Sequence, residues 1–180
     1  DKQIVFEVRG LETKGFRGAS IGVVFIGEEG YLVSASYEKL QAFDKDGKLI
    51  REFKGKDNHY QNFLDAVKAG DPAAVNAPPI EGHRSAAMGH LANISQQLGE
   101  EQPLLADEAP FRGSEAANES FAGMVEHLKA NQIDPGGCRI LRGPELRFDD
   151  ANERFFGDQP AAEAMLTRPA RAGFVVPREV

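Results

Sequence analysis

The sequence predicts an α+β domain, an open and mainly antiparallel sheet covered by helices. Three observations predict it. The first third of the chain alternates apolar and polar side chains, the period-two pattern of strands. Two tight-turn signals, Gly27-Glu28-Glu29-Gly30 and Asp44-Lys45-Asp46-Gly47, fold that stretch back on itself, so consecutive strands run antiparallel. From residue 57 onward the apolar residues recur with a period of 3.6, which is the spacing of an amphipathic helix. A half-buried sheet of this kind needs helices against one face.

The elements follow in order. In DKQIVFEVRG, Ile4, Phe6 and Val8 alternate with Val5, Glu7 and Arg9, so a strand is expected from residue 2. A strand that begins so abruptly, with no initiator Met, leads us to expect a piece of a longer protein. After the polar loop GLETKGFRG comes ASIGVVFIG, then YLVSASY, LQAF and KLIREF, a meander of four or five strands. In DNHYQNFLDAVKAG, Asp57 or Asn58 caps a helix, Gly70 ends it, and Tyr60, Phe63, Leu64 and Val67 form its apolar stripe. The prolines of DPAAVNAPP separate this helix from the next, IEGHRSAAMGHLANISQQLG. Residues 1–99 therefore hold the sheet and two helices. Residues 100–180 form a helical and extended continuation of the same domain. There, Ser114 caps a third helix with Phe121, Met124, Val125 and Leu128 inward, and Asn131 with Asp134-Pro135-Gly136-Gly137 ends it. CRILRGPELRFDDANERFFGD reads mostly as loop, PAAEAMLTR as a short helix opened by Pro160, and AGFVVPREV as an apolar strap.

Composition narrows the function. The chain has 180 residues, net charge −7, 41% apolar and 27% charged residues, and its Lys and Arg are scattered. A nucleic-acid or anionic-membrane surface needs clustered basic residues, so neither partner is expected. No apolar run approaches the roughly 20 residues of a membrane span. Cys138 is the single cysteine, which excludes an internal disulfide and a cysteine-based zinc site. The chain has no GxGxxG, Walker A or GxSxG motif, so no cofactor site is expected within it.

The second helix is unusual. Glu81 and Arg84 are its only charges, and both fall in the first turn. On a helical wheel Ile80, Ala87, Leu91, Ile94 and Leu98 make a tight stripe, with His83, His90, Asn93 and Gln97 along one margin. Gly82, Ser85, Gly89 and Ala92 lie farther round, where another backbone can come close. A helix so poor in charge is expected to pack on more than one side, which makes His83, His90 and Asn93 candidates for an interdomain seam. His83 and His90 are seven residues apart, about 10 Å along an ideal helix axis, too far to chelate one ion comfortably. On the first helix, His59 and Asn62 lie one turn apart and are candidates for the polar side of a substrate cleft. Asp44, Asp46, Asp149, Asp150 and Glu153 are expected to order loops.

The order of these motifs resembles the C-terminal domain of the Gfo/Idh/MocA oxidoreductases. The similarity begins with the hairpin Phe25-Ile26-Gly27-Glu28-Glu29-Gly30-Tyr31-Leu32. It continues through His59, Asn62-Phe63, Ala66-Val67 and Gly70, then through Glu81-Gly82-His83 and Ala92-x-x-Ser95-x-x-x-Gly99. Gly82-His83-Arg84-Ser85-Ala86, the run His90 to Ser95 and the tail Met165-Leu166-Thr167-Arg168 through Arg171, Phe174 and Pro177 resemble the bacterial-type subgroup. The resemblance implies hydride transfer between NAD or NADP and a sugar, polyol or related small molecule. It also implies a sheet that walls the substrate side and makes a homo-oligomer. The family's Rossmann domain, its E-K-P lysine and its Asp/His pair would precede Asp1; Glu38-Lys39-Leu40 lacks the proline and follows the hairpin. The chain alone is thus expected to be catalytically silent, with the Rossmann domain as its missing partner. Its compartment, cytoplasmic or exported, would be set upstream. Two rival readings are a stand-alone binding or assembly module and a metal-dependent hydrolase using His59, His83 or His90.

Overall fold

A computed structural model describes residues 2–55 and 57–175. The elements are β1 (Val23–Gly27), β2 (Gly30–Ser36), β3 (Lys39–Asp44), β4 (Leu49–Lys54), α1 (His59–Ala69), α2 (Pro79–Gln97), β5 (Glu100–Pro103), α3 (Glu115–Ala130), β6 (Arg139–Arg142), β7 (Phe148–Asp149), β8 (Arg154–Phe155) and α4 (Pro160–Glu163). Single 3-10 turns occupy Pro72–Ala74 and Pro135–Gly137. By contact the chain forms two units. One holds the described residues up to Asn76 together with Asp107–Ile133, and the other holds Ala77–Ala106 with the described residues from Asp134 onward. The split at residue 99 drawn from the sequence follows element type, whereas these units follow packing.

In the first unit β1 to β4 form an open antiparallel sheet in chain order, as the hairpin signals predict. Gly27 faces Gly30 across the first turn. A Cβ on Gly30 would stand 2.1 Å from the Phe43 carbonyl oxygen, so only glycine lets β2 and β3 approach there. The second turn closes when Gly47 N donates to Asp44 O at 3.2 Å and Lys48 N to the Asp44 carboxylate at 2.8 Å. Asp44 is thus the turn former it was expected to be. On one face Tyr31 stacks on Phe43 with centroids 5.0 Å apart, and the Arg17 guanidinium sits 4.1 Å above the Tyr31 ring. Val33 is buried, but Phe25, Ile26, Ile50 and Phe53 are exposed. Helical cover over these residues, which the pattern predicts, is not seen.

The predicted opening strand is a correction. Residues 2–10 join no sheet, and Ile4, Phe6 and Val8 are exposed. The segment is held instead by side chains along α3. Gln3 Oε1 lies 3.5 Å from Ser114 Oγ, Ser120 Oγ donates to Glu7, and Asn131 Nδ2 donates to Glu12 O at 3.0 Å. Alternation specifies which side chains share a side, but a ladder also needs a neighbouring edge. α3 itself follows expectation. Ser114 Oγ accepts from Ala117 N, and Phe121 and Val125 are buried. Phe111 meets Phe121 edge-on at 6.2 Å, while the Asn118 amide brackets the Phe111 backbone with bonds of 2.9 and 2.8 Å.

The second unit is built on the C-terminal half of α2. Ile94, Phe155 and Ala162 form its core, joined by Leu91, Leu98, Leu146, Phe148, Met165 and Leu166. The segment read as mostly loop contains three strands, and Glu100–Pro103 is a fourth. β5 pairs with β6 and β7 with β8, both antiparallel. EEQP carries no alternating apolar signal, so its pairing rests on what lies opposite. Glu100 faces Arg142 in the ladder, and the Arg139 guanidinium reaches Glu101. α4 begins at Pro160 as predicted but ends at Glu163, short of the expected Arg168. Its exit tightens into turns, with Met165 N bonded to Ala162 O and Leu166 N to Glu163 O. Of the predicted terminal strap, Phe174 and Val175 are exposed, with Arg171 stacked 4.8 Å over Phe174. Residues 176–180 of that strap lie outside the described residues. Among the described residues no helix is long and apolar enough to cross a membrane.

Candidate functional site

α1 places the first pair of candidate residues. Its start and stop are local chemistry: the Asn58 side chain accepts from Gln61 N at 3.1 Å, and Gly70 takes the left-handed conformation that closes the C-terminus. His59 is the first helical residue, exposed, with its ring tilted against Tyr60 at 4.0 Å. Asn62 lies one turn on, half-buried, and its amide is engaged at both ends. Nδ2 donates to Ala74 O at 2.8 Å, and Oδ1 accepts from Asn76 N at 2.9 Å. Only one N–H and one lone pair of that amide remain for another partner. Asn62 is therefore first a clasp on the linker after α1, and His59 is the freer of the two. The Tyr60, Phe63, Leu64 and Val67 stripe is exposed, at 57% for Phe63 and 61% for Val67, and only Ala66 is buried.

α2 places the other three candidates, and the structure treats them unequally. His83 Nε2 lies 2.6 Å from Glu153 Oε1, in the β7–β8 hairpin. His90 and Asn93 are exposed on the same helix. The close backbone approach expected over the small residues is not at Gly82 or Gly89, where a Cβ would meet nothing within 4 Å. It occurs near the C-terminal end of the helix. A Cβ on Gly143 would stand 2.3 Å from Ser95 Oγ and 2.5 Å from Ser95 O, and Ser95 Oγ donates to Pro144 O at 2.7 Å. Ile94 and Ser95, adjacent in the HLANIS run, thus fill the core and anchor the 143–144 loop respectively.

Glu153 takes a more specific part in holding its loop than the sequence alone shows. Its neighbours do order the hairpin. Asp149 accepts from Ala151 N and Asn152 N, both at 3.2 Å, and from Asn152 Nδ2 at 2.7 Å. The Asn152 side chain above all, with those backbone amides, holds the Asp149 carboxyl below its ordinary pKa. Glu153 instead sits at φ 49° and turns its carboxylate to α2. Its left-handed backbone, uncommon for a non-glycine residue, has no signature in a DDANE run.

Elsewhere the electrostatics are local. Glu52 is held by Lys39 at 2.9 Å and Lys54 at 3.1 Å, and hydrogen bonds from these ammonium groups lower its pKa from the usual 4.5 to about 2. An open dish of about 410 Å³ lies beside these lysines, lined by Phe25, Tyr37, Leu40 and Phe53. Among the described residues no polar or charged residue is buried, and no group of three or more His, Cys, Asp or Glu is arranged to hold a metal ion. Comparison with known protein families, with curated proteins and with solved structures finds no match to this chain.

Proposed function

We propose that this chain is the substrate-side and oligomerisation domain of an NAD(P)-dependent oxidoreductase acting on a sugar, polyol or related small molecule. The dinucleotide would be held by a Rossmann domain that precedes Asp1. The motif order supports this reading, from the Gly27–Gly30 hairpin through His59 and Asn62 to the HLANIS helix. The structural observation that carries the assembly part is the apolar surface left open on the first unit. Phe25, Ile26, Ile50 and Phe53 on the sheet, and Tyr60, Phe63, Leu64 and Val67 on α1, are all exposed among the described residues. Exposed apolar side chains in this density mark surfaces that meet another domain or subunit.

In this reading His59 is the polar residue offered to substrate, because its ring is exposed while the Asn62 amide is engaged. Asn62 positions the linker beneath it. His83, His90 and Asn93 border the missing domain. The chain by itself carries out no hydride transfer.

The test has two parts. The coding sequence upstream of Asp1 is expected to contain a GxGxxG strand–helix turn and an E-K-P motif; a start codon at that point would favour a stand-alone module. Calorimetric titration of NADH and NADPH into the purified chain is expected to give no heat of binding. Tight binding of either would overturn the assignment of the cofactor to another domain.

A further inference from the structure

We draw no further inference here: the strongest candidate, the apolar edge that Ile4, Phe6 and Val8 expose in the segment laid beside α3, carries nothing because no part of the structure shows what covers it.

Discussion

His83 and Glu153, seventy residues apart in sequence, meet at 2.6 Å and tie the N-terminal part of α2 to the β7–β8 hairpin. Their side chains remain 54% and 58% exposed, so solvent screens the pair. Replacing His83 by Ala is expected to cost about 1 kcal/mol or less. Glu153→Gly has two opposing effects: it loses the pair, and it relieves a left-handed backbone that a side chain resists by roughly 1 kcal/mol. Chemical denaturation should therefore show Glu153→Gly to be no less stable than Glu153→Gln. A Glu153→Gly variant clearly weaker than Glu153→Gln would mean that the φ of 49° carries no strain.

Asn62 offers a sharper effect. Its amide joins α1 to residues 74 and 76, and each bond contributes on the order of 1 kcal/mol. Asn62→Ala is expected to lower stability by about 1–2 kcal/mol and to speed hydrogen exchange at the Asn76 amide. Asn62→Asp keeps an acceptor for that amide but loses the donor to Ala74 O, so it should protect Asn76 better than Ala does. Unchanged exchange at Asn76 in the Ala variant would rule out the clasp.

Gly143 is held to glycine by contact with α2. Gly143→Ala would force its Cβ into both the hydroxyl and the carbonyl of Ser95, at an expected cost of about 1–3 kcal/mol. Ser95→Ala alone should cost about 1 kcal/mol by freeing Pro144 O. Combining the two is not expected to rescue stability, because the Ser95 carbonyl still stands 2.5 Å from the added Cβ. Full recovery in the double variant would show that the hydroxyl is the only obstacle. The first helix aligns with this lesson: Gly70 and Asn58 cap α1 through local chemistry visible in DNHYQNFLDAVKAG, whereas nothing near Gly143 in sequence names Ser95 as its neighbour.

Glu52 makes a pH prediction. Its folded pKa, about 2, lies below the usual 4.5, so the folded state favours the carboxylate. Its contribution to stability is fully present above pH 4.5 and is lost as pH falls through the folded value near 2. Carbon-detected NMR titration of the side-chain carboxyl should place Glu52 well below the usual 4.5. Lys39→Met should move it upward, since the Lys39 hydrogen bond is the largest cause of the depression. A titration at 4.5 in the parent chain would dismiss the Lys39–Glu52–Lys54 cluster as transient.

The exposed stripe of α1 tests the assembly reading. Phe63→Glu with Val67→Glu is expected to reduce the mass of the species seen by sedimentation, without loss of helix content by circular dichroism. If the parent chain is already monomeric and stays dispersed at high concentration, this face does not mediate assembly.

Local chemistry explains what the sequence by itself determined. Two of the three reversals in the β1–β4 meander follow from turns whose residues form them unaided, and α1 and α3 follow from their caps and apolar period. The helical reach of IEGHRSAAMGHLANISQQLG was legible for the same reason, within a residue or two of Pro79–Gln97. The tertiary structure decided which partners those elements meet. It set the 2–10 segment beside α3 instead of in a sheet, paired the polar EEQP with RILR, and gave the loop residue Glu153 its partner His83. Each of these depends on groups between 36 and 113 residues apart, and no periodicity or capping rule acts over such a distance.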